Sequence, residues 1–238
     1  MPPPAKPFHF KQFDIVQSRS AMRVGTDAVL LAAWARMDKP THILDVGTGT
    51  GLIALICAQR CPFALVDAVE IDSGSAEDAR ENFLRSPWSD RLKIHLGDFL
   101  KITTSEKFDL IISNPPYFTH SLRAADPSRN AARHDDFLPS DAFMKHARTM
   151  LKQDGVVALI FPKSELERWV VDAASVSLAP ARICDVYTSA HGEAARVMVE
   201  FSFHRTDPPE RDSIRIQKGP GEPSDAYMQL TTAYYTKW

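Results

Sequence analysis

The sequence has no run of about 18 consecutive apolar residues, which excludes a membrane-spanning helix. Its opening, MPPPAKPFHF, lacks the apolar core of a secretory signal, so a soluble, cytoplasmic protein is expected. Cysteine is scarce. Cys57, Cys61 and Cys184 form an odd set whose spacings match neither a disulfide framework nor a metal knuckle, and they read as small buried residues. An excess of one charge is missing too: the formal net charge of −2 gives no global attraction to nucleic acid, so such a partner needs a local basic patch. There is no internal repeat, no low-complexity tract and no linker long enough to divide the chain.

What the chain does have is enough apolar residues for one sizeable core: 238 residues, 44% apolar and 24% charged. Short apolar runs alternate with helical patterns. Strands are expected at 42–46, 65–71, 92–96, 108–112, 156–161, 183–187 and 196–203, with helices at 52–60, 73–86, 141–151 and 164–174. That pattern predicts a seven-stranded, mostly parallel α/β sheet with helices on both faces. Asp72 followed by Ser73 supplies a helix cap, and Asp154-Gly155 a stop between the third helix and the next strand. Residues 41–204 form the expected core. Residues 1–40, with an apolar helical stretch at 28–35, are expected to pack on it, and 205–238, ending in a helical pattern at 225–235, to extend the same domain.

At the junction of the first strand and helix, ILDVGTGTGLIAL places Asp45, Gly47, Gly49 and Gly51. Glycines there let the backbone turn tightly and approach a ligand. Dinucleotide enzymes use Gly-x-Gly-x-x-Gly to seat a pyrophosphate; Gly-x-Gly-x-Gly fits a ligand without one. The next strand ends VEID, putting Glu70 where a carboxylate takes ribose hydroxyls, and the third ends LGDF, putting Asp98 where it accepts an adenine amino group. Singly, each is also a solvated rim residue. Three in register at strand carboxyl ends point to an adenosine ligand without pyrophosphate, S-adenosyl-L-methionine.

The fourth strand runs into ISNPPYFTH. The amino group of an aromatic base is a poor nucleophile because its lone pair is delocalised, and catalysis must localise that pair. The side-chain oxygen of Asn114 and a carbonyl within Pro115-Pro116 accept the two N–H protons, the prolines fixing φ, while Tyr117 stacks on the ring. No metal is needed. Asn-Pro-Pro is also ordinary turn chemistry, and it is the company of Asp45, Glu70 and Asp98 that favours the catalytic reading.

DVGTGTG, VEID, GDF and NPPY in this order resemble the amino-methylating Rossmann-like methyltransferases. The blocks FKQFDIVQSRSAMRVGTDAVLLAAWA (10–35), ENFLRSPWSDRLKIHLGDF (81–99) and AYMQLTTAYYTKW at the end are similar to the bacterial tRNA-Val adenine-N6 methyltransferase family. The resemblance implies the Rossmann-like methyltransferase fold and methylation of the adenosine 3′ of the anticodon. It also implies that Gly25, Thr26 and Asp27 line the methionine end of the cofactor, with Asp45, Gly47 and Glu70 near its ribose, Asp98 at its adenine and Asn114–Tyr117 at the target base.

For RNA, Arg123, Arg129 and Arg133 in the loop after Tyr117 join Lys6, Lys11, Arg19 and Arg23 as phosphate contacts, and Phe8, Phe10 and Phe13 offer stacking faces. Nothing calls for an obligatory protein partner. The same transfer to an rRNA base, a DNA adenine or a protein glutamine stays open at this level, as does a nicotinamide-dependent oxidoreductase that uses Glu70 on a ribose.

Overall fold

A computed structural model describes residues 6–20, 23–116 and 138–237. Eight strands form the main sheet: β3 (His42–Val46), β4 (Leu65–Glu70), β5 (Leu92–Leu96), β6 (Phe108–Ser113), β7 (Leu151–Pro162), β8 (Ala179–Tyr187), β9 (Arg196–Ser202) and β10 (Glu210–Arg215). Their spatial order is β10-β8-β9-β7-β6-β3-β4-β5, and β9 alone runs against its neighbours. Short outer pairs, β1 (Phe8–His9) with β2 (Asp14–Ile15) and β11 (Gln217–Gly219) with β12 (Glu222–Pro223), complete the strands among the described residues.

The apolar runs are buried on both faces because strand side chains alternate. Leu110 and Ile112 of β6 enter one core with α1 (Thr26–Trp34), α2 (Leu52–Arg60) and α3 (Ser73–Arg85). Ile111 enters the other, with α4 (Ser140–Met150) and α5 (Leu166–Ala174). Asp72 caps α3 as expected, its Oδ2 accepting from the Ser75 N–H at 2.7 Å. Two arginines close other helix ends: Arg60 donates to Ala32 O and Ala35 O after α1, and Arg91 to Ala58 O, Cys61 O and Ala64 O after α2.

Seven strands were expected in the main sheet, and eight are present there among the described residues. The extra one, β10, has the polar sequence ERDSIR, of which Ile214 alone is buried. As an edge strand it needs no apolar face. It is held by backbone pairing to β8 and by Arg36 on Glu210, while Arg182, stacked over Trp34, lies near Glu200 and Asp212. Helix α4 ends at Met150 and β7 starts directly at Leu151, but the pairing of β7 with β6 shifts register between Leu151 and Val156, so Asp154-Gly155 lies in an irregularity of the strand and regular pairing resumes at Val156.

The chain ends meet. Phe10 stacks on Phe13 and on Tyr235, with ring centroids 4.8 and 5.6 Å apart. The Lys11 N–H donates to Tyr234 O, and its ammonium to Thr232 O at the end of α6 (Asp225–Thr231). Phe10 and Phe13 are therefore core residues rather than base-stacking surfaces, and Lys11 is a helix cap.

A Cβ on Gly155 would lie 2.9 Å from Phe108 O and 2.8 Å from the Leu151 side chain. Gly155→Ala is expected to cost about 1–3 kcal/mol of unfolding free energy through overpacking, read from urea denaturation. An unchanged midpoint would show that the β6–β7 contact yields freely.

Candidate active site

The carboxyl ends of β3, β4, β5 and β6 share one edge of the sheet: Val46 lies in register with Val69 and Ser113, and Glu70 with Leu96. At its centre the chain leaves β3 through the glycine loop. Gly47, Gly49 and Gly51 have φ of 67°, 57° and 83°, left-handed values that favour glycine. A Cβ on Gly47 or Gly49 would meet nothing within 4 Å, so the loop presents bare backbone to open space. On Gly51 it would strike the Phe83 ring of α3 at 2.5 Å.

Asp45 sits beneath this loop with no solvent exposure. Its Oδ2 accepts from the Thr48 hydroxyl and from the Ala54 N–H at 3.1 Å, while Oδ1 is buried without a partner among the described residues. Burial pushes its carboxyl up to about 7, the Thr48 and Ala54 bonds opposing and the Glu70 charge adding. Glu70 is engaged on both oxygens, Oε2 accepting from the Gly49 N–H at 2.8 Å and Oε1 from the Asp72 N–H at 2.9 Å. It thus ties the loop to the start of α3, and each oxygen keeps a second lone pair for a ligand. Asp98 opens a short 3₁₀ turn, accepting from the Leu100 N–H at 3.0 Å and pairing with Lys101 at 3.2 Å.

Two residues absent from the sequence reading lie on the same edge. Ile71 and Leu96 are 57% and 56% exposed, large apolar side chains flanking Glu70 and Asp98. An apolar residue close to each acidic strand end, Ile71 directly after Glu70 and Leu96 two residues before Asp98, is the signal that would have found them.

Asn114 follows β6, half-buried, with Pro115 buried and Pro116 exposed. The Ser113 hydroxyl donates to Val46 O at 2.7 Å, tying this strand end to the root of the glycine loop. Tyr117, Arg123, Arg129 and Arg133 lie outside the described residues.

Gly25 and Thr26 begin α1, and the Asp27 carboxylate pairs with Arg196 of β9 at 2.6 Å. Burial pushes Asp27 up against the lowering effect of Arg196. Arg19 is clamped to α3: its guanidinium lies 2.9 Å from Asp78, 3.2 Å from Glu77 and 3.3 Å from Glu81, and its N–H also donates to Asp78. Burial raises the Asp78 carboxyl, but these bonds outweigh it and hold the group below its usual range. Arg19 is therefore employed within the fold. Arg23 is exposed.

An open glycine turn flanked by acidic strand ends, beside an Asn-Pro-Pro turn on a mostly parallel sheet, defines a methyltransferase, and comparison with known proteins agrees. Residues 8–168 match the model of the methyltransferase small domain. A predicted O-methyltransferase of Agrobacterium tumefaciens shares the fold, with a TM-score of 0.67 at 20% identity over 87% of this chain and 96% of that one. The ribosomal protein L11 methylase of Lactobacillus delbrueckii subsp. bulgaricus gives 0.52 at 20% identity, over 74% of this chain and 76% of its own.

Curated relatives are closer. A tRNA1(Val) (adenine(37)-N6)-methyltransferase of Porphyromonas gingivalis is 43% identical over 98% of this chain and 96% of its own length. Proteins of the same name from Phocaeicola vulgatus and Vibrio parahaemolyticus are 41% and 39% identical, over 96% and 98% of this chain and 97% and 96% of their own. The chain belongs to this family of methyltransferases, and S-adenosyl-L-methionine is the expected cofactor. The residues fit it: bare backbone at Gly47 and Gly49, an unspent buried acceptor at Asp45, and an apolar pair beside Asp98.

An unfolded aspartate titrates near 3.9, so a folded value of about 7 means that Asp45 costs increasing stability as pH rises from about 4 to about 7. Asp45→Asn does not ionise. Between pH 5 and pH 8 the unfolding free energy of the variant is expected to gain about 2–3 kcal/mol on that of the unsubstituted protein. Parallel denaturation profiles across this range would refute the burial effect.

Proposed function

We propose that this chain transfers a methyl group to the exocyclic N6 of an adenine in tRNA, the adenosine 3′ of the anticodon in tRNA-Val, in the cytoplasm. The observation that carries the reading is similarity at 38–43% identity, over nearly the whole length, to proteins that bear that activity in their names. The tie between the Asn114 strand end and the glycine loop supports it, since donor and acceptor sites must adjoin.

When bound, S-adenosyl-L-methionine supplies an electrophilic methyl group on a sulfonium. The backbone of Gly47 and Gly49 admits it, Gly25, Thr26 and Asp27 flank its methionine end, Glu70 and the unspent oxygen of Asp45 face its ribose side, and Asp98 accepts from its adenine amino group between Ile71 and Leu96. Gly51 packs the loop against Phe83. Asn114, through its side-chain oxygen, and a carbonyl of Pro115-Pro116 accept hydrogen bonds from the two N6–H groups, so the nitrogen lone pair is freed from the ring and aimed at the methyl carbon. The same acceptors would stabilise positive charge on nitrogen as the N–C bond forms and the sulfur–methyl bond breaks, its electron pair going to sulfur to leave S-adenosylhomocysteine. The surplus proton leaves to water. Tyr117 stacks on the base, and an unpaired anticodon-loop adenosine costs only a few kcal/mol to extrude. Arg23 and the arginines of the following loop, Arg123, Arg129 and Arg133, contact phosphates.

Asn114→Ala is expected to lower methyl transfer to tRNA by about 10²-fold or more, the scale for loss of one charge-stabilising group. S-adenosylhomocysteine affinity should stay within about threefold, and mass spectrometry of the tRNA should lose N6-methyladenosine. Near-normal transfer by the variant would remove Asn114 from the mechanism; label entering protein rather than tRNA would overturn the acceptor.

A further inference from the structure

Asn82, one turn past Asp78 on α3, is 1% exposed and uses its whole amide. Oδ1 accepts from the Val16 N–H at 2.7 Å, and Nδ2 donates both to Val16 O and to Thr50 O, each at 2.9 Å. Two of these bonds grip one residue of the N-terminal segment from both sides. The third grips the glycine loop. Asp78 carries the neighbouring part of the same segment, its Oδ2 accepting from the N–H groups of Arg19 and Ser20 at 2.8 and 2.9 Å. It has no bond to the loop among these.

The grip on Val16 is passed along the chain. Gln17 accepts the Val24 N–H on its Oε1 at 2.9 Å, so the residue beside the one Asn82 holds fixes the residue directly before Gly25. The connection is therefore Thr50, Asn82, Val16, Gln17, Val24, Gly25, and it joins two walls of the proposed cofactor site. We infer that Asn82 is a positioning residue for the cofactor: it sets the spacing between the glycine loop and the segment leading to Gly25–Asp27. This rests on the reading of those three residues as the wall at the methionine end.

Only a side chain with one acceptor and two donors fulfils the role. Aspartate keeps the acceptor for Val16 N–H but sets a carboxylate against two carbonyl oxygens, and a hydroxyl is too short to bridge them. The next residue acts on the same loop: Phe83 lies where a Cβ on Gly51 would have to go. Adjacent positions on α3 thus address adjacent loop residues, one by hydrogen bond and one by contact.

The test is calorimetric titration of S-adenosylhomocysteine into the full chain and its variants, with thermal midpoints and steady-state kinetics on tRNA. Asn82→Asp is expected to raise the dissociation constant at least tenfold and the KM for S-adenosylmethionine in parallel, with kcat at saturation changed less than threefold. Asn82→Ser, which breaks the bridge without adding charge, should do the same if the first variant does not fold. Asp78→Asn is the control: it weakens the grip on the N-terminal segment alone and should lower the thermal midpoint while leaving the dissociation constant within threefold. An Asn82 variant that loses thermal stability like Asp78→Asn but binds S-adenosylhomocysteine normally would overturn the inference, as would a loss confined to kcat. Failure of the unsubstituted chain to bind S-adenosylhomocysteine would instead refute the cofactor reading beneath it.

Discussion

Helix α2 has no polar face over most of its length: every residue from Leu52 to Ala58 is buried. A helix of that kind has to be covered all round, and much of the rest of the architecture answers that requirement. The sheet lies on one side, and α1, itself buried from Val29 to Trp34, packs along another. Phe83 and Ala79 of α3 join the same core, as do Phe10, Phe13 and Ile15 from the beginning of the chain and Tyr227 and Tyr234 from its end. Because α2 springs from the glycine loop, whatever covers the helix also arrives beside the loop.

The loop itself is held by unlike means. Val69 O takes the N–H of Gly47 and of Thr48, Glu70 takes that of Gly49, and Asp45 reaches from below to Thr48 and Ala54. These bonds satisfy a backbone bent away from helix and strand alike, where each group left unpaired in the interior would cost about 1–3 kcal/mol. They leave the outer surface at Gly47 and Gly49 bare. A carboxylate as deeply enclosed as Asp45 is a burden to the fold, offset in part by its bonds to Thr48 and Ala54.

Much of this was legible in the chain. The central strands announced themselves because, as in β6 and β9, their side chains are buried on both faces and so form apolar runs. The eighth, ERDSIR, could not, since an edge strand with one buried residue has the composition of a loop. The acidic strand ends stood out because the α/β arrangement fixes where such ends lie. Asp78 was not visible as a clamp, because on an amphipathic helix a buried Asp looks like one more residue of the wet face. Arg19 and Lys11 read as phosphate contacts for the complementary reason: their partners are 59 and 221 residues away, a distance no local pattern spans. Ile71 and Leu96 escaped since an exposed apolar residue is ordinary until its neighbours are known.

The clasp between the two ends of the chain has a consequence for synthesis. The β1–β2 hairpin is synthesised well before Tyr234 and Tyr235, against which it packs, the Lys11 to Thr232 contact spanning 221 residues. Until then Phe10 lacks the Tyr235 ring and Lys11 lacks its acceptors at Thr232 and Tyr234. A nascent chain long enough to form the whole sheet, through β10, thus still has an incompletely packed N-terminal hairpin. The hairpin's packing is complete only once the chain has been made through Tyr235.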